Sequence, residues 1–346
     1  MGYSSDPIWA DISPIAQSDG GPNPLAAISY TEGYAEAMSY LRAVMAANEM
    51  SERALDLTED IISLNPAHYT VWLYRAKILS SLDLDLNEEI TWLNNIALRH
   101  QKNYQIWHHR QYLLDRIGNA DGEIAFVNRM LAGDAKNYHV WSYRQWLVRR
   151  FGLWDVKARN GRAEIKEALQ AQAEEDGDGD EDEVPDLVTE VAEETNELEE
   201  TALFVAADVR NNSAWNHRFF IVNGSEDGQG VKDNDVYERE VAFAKEAIRK
   251  APQNQSPWAY LKGAVERAKG KDGSKELVEF CGEFVDLDQC TVRSSHALDL
   301  LAEIWGREKK IAEASKAYEL LRDKYDPIRR NYWEYLRGKL ESTAAA

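Results

Sequence analysis

The sequence has only two cysteines in 346 residues, Cys281 and Cys290. That is too few for a disulfide framework and too few for a zinc site of their own. No apolar run approaches the ~18 residues of a membrane-spanning helix. Met1-Gly2-Tyr3-Ser4-Ser5-Asp6 carries Asp6 where a myristoylation signal wants Ser or Thr, and no basic-then-apolar leader follows. A reducing, cytoplasmic setting fits these absences best. Strand signals are lacking throughout. A basic surplus is lacking too, since 40 Lys/Arg face 60 Asp/Glu for a net charge of −20. Fifteen of those acids crowd into residues 174–200, which hold no Lys or Arg; without them the balance is 40 against 45. The body is therefore near neutral and offers no nucleic-acid surface.

Proline is scarce after the first 29 residues. Pro7, Pro14, Pro22 and Pro24 lie there with Gly20-Gly21, so 1–29 reads as an extended arm. Trp9, Ile12, Ile15 and Leu25 give that arm something to bury against the body.

What fills the rest is a repeat. The skeleton Asn/His-x-x-x-Trp-x-x-Arg occurs as His68…Trp72…Arg75, Asn103…Trp107…Arg110, Asn137…Trp141…Arg144 and Asn211…Trp215…Arg218. A fifth copy, Asn254…Trp258, has Leu261 where the Arg is due. Steps of four and three put the polar residue, the Trp and the Arg on one helical face. Trp72, Trp107 and Trp141 stand 35 and 34 residues apart, the period of stacked helix pairs. The chain is thus expected to be an all-α, right-handed superhelical solenoid of about seven helix pairs, running over 30–340. Asn65, Asp134 and Asp208, each seven residues before a Trp, are the expected helix caps, with Pro66 in a first turn. Asp85-Leu86-Asn87-Glu88 looks like a capping box, and Pro257 moves the fifth cap to Ser256.

Trp141 to Trp215 is 74 residues, twice the period, so an insert lies between them. Residues 171–198 are expected to be a disordered acidic segment. A calcium loop counted from Asp176 fails, with Glu181 in place of the required Gly and Leu187 in place of Glu.

The repeat Trp and Arg are expected to be packing residues, the Trp set into the neighbouring unit and the Arg paired with a carboxylate or backbone. His108 and His109 diverge by a quarter-turn and have no carboxylate or Cys four residues away, which is not a metal pair. Lys102 differs in placement. It sits at a helix start, where free amides and the positive dipole end already favour an anion. Lys136 has the same position one unit on. Tyr104, Gln105, Tyr138 and His139 add polar groups at matching positions of adjacent units, which line up along the concave face of such an array. That face is the candidate site, for a ligand carrying negative charge.

The Trp-x-x-Arg repeats resemble the prenyltransferase α-subunit repeat. Trp9-Ala10-Asp11-Ile12, Asp19 to Pro24, Ser51-Glu52-Arg53-Ala54, Lys102 to Arg110, Asp134 to Trp146, Val209 to Arg218 and Ile328 to Leu336 are similar to the α subunit shared by protein farnesyltransferase and protein geranylgeranyltransferase type I. The resemblance implies a crescent of helix pairs wrapped around a β subunit that holds the zinc and most of the isoprenoid pocket. It implies transfer of farnesyl or geranylgeranyl from its diphosphate, with Mg2+ possible beside that diphosphate, to a Cys near the C-terminus of CaaX proteins. By the same resemblance Lys102 contacts the diphosphate and Tyr104 lies beside it. Gln105 holds the C-terminal carboxylate of the protein substrate, while Tyr69, Asn137, Tyr138 and His139 line the cavity. Generating a thiolate calls for a metal, which fits a partner that carries one. Two alternatives stay open: the α subunit of the Rab enzyme, and a helical-repeat scaffold that binds peptides without catalysis.

Overall fold

The computed structural model describes residues 2–18, 20–21, 25–26, 28–154, 196–224, 233–268, 274–289 and 291–345. They form an all-α chain of two compact units, Met1–Phe151 and Gly152–Ala346. The first unit holds α1 (Glu32–Ala46), α2 (Glu52–Leu64), α3 (Tyr69–Leu82), α4 (Leu86–Arg99), α5 (Tyr104–Ile117), α6 (Glu123–Gly133) and α7 (Tyr138–Phe151). In the second are α8 (Glu197–Ala207), α9 (Asn212–Asn223), α10 (Asn234–Lys250), α11 (Gln255–Arg267), α12 (Ser274–Gly282), α13 (Ser295–Arg307), α14 (Ile311–Leu320) and α15 (Arg330–Ala345). From α2 onward the helices pack as successive pairs, seven among the described residues, with α1 ahead of them. A small hairpin of β1 (Val285–Asp286) and β2 (Thr291–Val292) interrupts the second unit, where the sequence showed no strand signal.

The helix caps differ from those expected. Asn65, Asp134 and Asp208 end α2, α6 and α8; their side chains accept from the N–H two residues on, at 3.3, 3.2 and 2.8 Å. They therefore fold the turn and do not start the next helix. The true caps are Asn103, Asn137, Asn211 and Asn254, the first residue of the repeat skeleton itself. Asn254, and not Ser256, caps the fifth copy because Pro257 falls in the first turn, where its missing N–H costs nothing. Asp85 caps α4 through the Asn87 N–H, without the reciprocal bond of a capping box.

Each Trp braces the turn behind it. The indole N–H of Trp72, Trp107, Trp141, Trp215 and Trp258 donates to the carbonyl six residues earlier, at 2.8 to 3.1 Å. All five indoles are buried, as the packing reading expected.

The Arg of the repeat makes a recurrent buried triad. Arg75 grips Glu89 of the following α4 with two hydrogen bonds of 2.7 Å, and His109 Nε2 lies 2.8 Å from the same carboxylate. Arg110 grips Glu123 likewise, with Tyr143 donating to that carboxylate at 2.5 Å. Arg218, Glu240 and Tyr260 repeat the pattern in the second unit. The His or Tyr just before the next repeat's Arg, or before Leu261 where the fifth copy lacks that Arg, thus ties one helix pair to the next. Burial pushes the Glu89 and Glu240 carboxyls up, but the hydrogen bonds and charge of their partners outweigh it, and both end below the usual carboxylate range.

Of the arm, Trp9 is buried between the Tyr3 and Tyr40 rings, while Ile15 and Leu25 are exposed. Arg53 clamps the arm through Asp11 at 2.7 Å and the Ile8 carbonyl at 2.6 Å. Polar contacts do much of what four apolar residues were expected to share: the Ser4 amide donates to Glu36 at 3.0 Å, and Arg42 donates to the Ile15 carbonyl at 2.8 Å.

The acidic segment lies outside the described residues up to 195; its last three expected residues do not. Asn196 caps α8 in a capping box with Glu199, and Leu198 is buried. Deleting 171–195, which removes no described residue, is expected to leave turnover within about twofold. Extending the deletion to 198 removes a cap and a buried leucine and should cost about 2–4 kcal/mol in chemical denaturation. Equal stability of the two deletions would count against the role of that first turn.

Candidate functional site

The turn between the two helices of a pair is built alike five times. The amide of its fourth residue donates to the carbonyl of its first: His68 to Asn65, Asn103 to His100, Asn137 to Asp134, Asn211 to Asp208 and Asn254 to Ala251. With the carbonyl of the second residue taken by the indole, the third residue is left to face outward. That position holds Ala67, Lys102, Lys136, Arg210 and Gln253. The next helix then opens with Tyr69, Tyr104 or Tyr138 in the first three pairs.

Those tyrosines are the exposed face. Tyr69, Tyr104 and Tyr138 are 62, 59 and 68% exposed, where large aromatic rings normally bury most of their area. Helices α3, α5 and α7 pack side by side, so the three rings recur along one edge of the first unit. The Tyr104 ring meets His139 edge to face at 4.3 Å, and Tyr138 lies 5.8 Å from the same imidazole. Partial burial, and then the charge of Lys102, hold His139 below its ordinary value, so it is neutral at pH 7. Lys102 is 74% exposed, and its ammonium lies 3.2 Å from Asp134 of the following turn.

Two groupings emerge from the expected site residues. Lys102, Tyr104, Tyr138 and His139 cluster at the N-terminal ends of α5 and α7. Tyr69 and Gln105 instead line an open groove of about 700 Å³ between α3 and α5, with Leu73, Lys77, His108 and Arg116. Asn137 stands apart from both. It is buried, and its Oδ1 accepts the His139 and Val140 amides at 3.0 and 3.4 Å, so it starts the helix that carries Tyr138 and His139. His108 opens onto the groove while His109 is buried on Glu89, the divergence expected of neighbours on a helix. Sequence reasoning missed Asp134 as a partner of Lys102, because its spacing from Trp141 made it look like a cap. It also passed over Lys77 and Arg116, which only the stacking of α3 on α5 brings to one groove.

Among the described residues no group of three or more His, Cys, Asp or Glu could hold a metal ion. Cys281 is buried, and burial pushes its thiol up to about 12, so it is not a ligand in waiting. The donor set described here therefore does not fit zinc. No described helix is long and apolar enough to cross a membrane.

The protein prenyltransferase alpha subunit repeat matches residues 51–82, 86–117, 120–151, 195–224 and 237–268, the five helix pairs from α2–α3 to α10–α11. The chain is 36% identical to the protein farnesyltransferase/geranylgeranyltransferase type-1 subunit alpha of Candida albicans, across 96% of this chain and 97% of that one. It belongs to this family of α subunits. The Pisum sativum α subunit is 34% identical over 98% of this chain and 95% of its own length. Among solved structures, the Candida albicans protein geranylgeranyltransferase-I complexed with GGPP matches with a TM-score of 0.78 at 35% identity, covering 96% of this chain and 98% of that one. Both likenesses reach well past the five repeats, into the arm and the C-terminal helices.

Proposed function

We propose that this chain is the α subunit of a heterodimeric protein prenyltransferase, that it assembles with a β subunit, and that Lys102 acts on the isoprenoid diphosphate. The observation that carries the reading is the match to type-1 α subunits along almost the whole of both chains. The reaction joins a substrate cysteine to an isoprenoid. Sulfur bonds to C1 as the C1–O bond breaks, diphosphate leaves with the bonding pair, and the thiol proton is lost beforehand. Zinc, held by the β subunit, would keep that cysteine as its thiolate.

What this chain contributes is charge and position. Negative charge grows on the leaving oxygens, so a cation that meets them stabilises the transition state more than the ground state. Lys102 supplies that cation at the head of α5. The neutral His139 and the Tyr104 hydroxyl lie beside it as hydrogen-bonding groups, and Tyr138 continues the wall. Asn137 acts through these residues, by capping their helix. Tyr69 and Gln105, in the groove, take the peptide end of the substrate.

A Gln amide suits a peptide carboxylate, because its NH2 can donate without adding charge. Gln105→Ala is expected to raise the KM for a CaaX peptide with a free C-terminal carboxylate by roughly 1–2 kcal/mol in equivalent free energy, with isoprenoid affinity unchanged. The assay uses the heterodimer co-purified with its β subunit. If the parent bound free-acid and C-terminally amidated peptides equally well, Gln105 would have no carboxylate to hold.

A further inference from the structure

We propose that Asp134 is a positioning residue for Lys102. Its carboxylate holds the ammonium beside Tyr104 and His139, so that the leaving diphosphate meets a cation already in place. The inference rests on the reading of Lys102 given above. Lys102 Nζ lies 3.2 Å from Asp134 Oδ2, although the two residues belong to successive helix pairs. Asp134 is itself anchored. It ends α6, and its Oδ1 accepts the Lys136 N–H at 3.2 Å. The Trp141 indole braces the same turn through the Ala135 carbonyl at 2.9 Å. One carboxylate oxygen is therefore built into a rigid turn, and the other is turned toward the ammonium.

The lysine needs such an anchor. A long exposed stem leaves its charge spread over a wide volume, and ordering it costs rotamer freedom. At the same turn position the two earlier pairs carry Asn65 and His100; an acid first stands there at Asp134, opposite the lysine the reading makes catalytic. As a stability device the pair is worth little, since Lys102 is mostly in water and Asp134 is 33% exposed. Its effect should therefore appear in the chemistry. A carboxylate near an anionic ligand also repels it, so removing the charge should not weaken binding of the isoprenoid diphosphate.

The test is Asp134→Asn in the heterodimer co-purified with its β subunit. Asn keeps an Oδ1 for the Lys136 N–H, so the turn survives and only the charge is lost. The single-turnover rate is expected to fall about fivefold, the upper range of an exposed charge pair. The Kd for the isoprenoid diphosphate should stay the same or tighten, and Tm should not move. Asp134→Glu should restore part of the rate, and in a Lys102→Ala background Asp134→Asn should have no further effect. A parental rate in Asp134→Asn overturns the proposal. So does a loss that adds to Lys102→Ala and comes with a lower Tm, which would make Asp134 structural. If Lys102→Ala itself ran at the parental rate, the reading of Lys102 would fail; a slow Lys102→Ala beside a parental Asp134→Asn would sink this proposal alone.

Discussion

Lys102→Ala is expected to slow the chemical step about 100-fold, a loss of roughly 3 kcal/mol, comparable to removing one oxyanion donor. The ammonium lies where α5 begins, so the dipole of that helix adds to its field. It is also mostly exposed, which makes it available to a ligand and leaves the core untouched by its removal. Association with the β subunit should be unchanged, because a single exposed lysine rarely carries a large interface. Lys136→Ala serves as the control. Lys136 has the same turn position one pair on, but its backbone is the half of the Asp134 arrangement that closes the turn. Its loss should cost far less. Single-turnover measurement separates chemistry from product release, and a parental rate in Lys102→Ala would return Lys102 to the status of a solvated surface lysine.

Glu240→Ala should produce the largest loss of stability. Glu240 is fully buried and receives two hydrogen bonds from Arg218, one from Tyr260 and one from Arg239. Truncating it leaves the buried Arg218 guanidinium without its carboxylate, which costs about 3–5 kcal/mol. Chemical denaturation of the co-purified heterodimer reads the effect. Replacing Arg218, Glu240 and Tyr260 together by Met, Leu and Phe should recover most of the loss, because well-packed apolar residues substitute for a buried ion pair at little net cost. An unchanged denaturation midpoint in Glu240→Ala would show that the triad does not couple its helix pairs. The pH dependence has a definite sign. Glu89 and Glu240 are depressed in the folded chain, so their contribution is full above the unfolded carboxylate value of about 4.5 and is lost as pH falls through the folded values. Asp299 acts in the opposite direction. Burial raises it to about 6, so its charge destabilises the fold at neutral pH, and stability is regained between about 6 and its unfolded value of 3.8.

The helices, their pairing and the family were legible because they depend on short-range periodicity. Trp72, Trp107 and Trp141 announce the repeat by spacing alone, and the lysine, tyrosine and glutamine of Lys102 to Gln105 come from one continuous stretch. The caps were misplaced by three residues at Asp134 and Asp208 because Asn and Asp serve equally well to fold a turn or to start a helix. Asp134 does the first and Asn137 the second, three residues apart. Local composition does not tell these roles apart.

By itself the sequence determined which residues form helices, how often they repeat, and that two lysines and three tyrosines recur at matching positions. Only the tertiary structure decided what each repeat Arg holds. The partners Glu89, Glu123 and Glu240 follow their Arg by 14, 13 and 22 residues, because loop lengths vary while the stacking distance between helix pairs does not. The meeting of Lys102 with Asp134 has the same origin. A four-residue turn braced by the Trp six residues past its second carbonyl is a local fact; two turns from successive pairs facing each other is a consequence of packing, and packing alone sets the 3.2 Å between their charges.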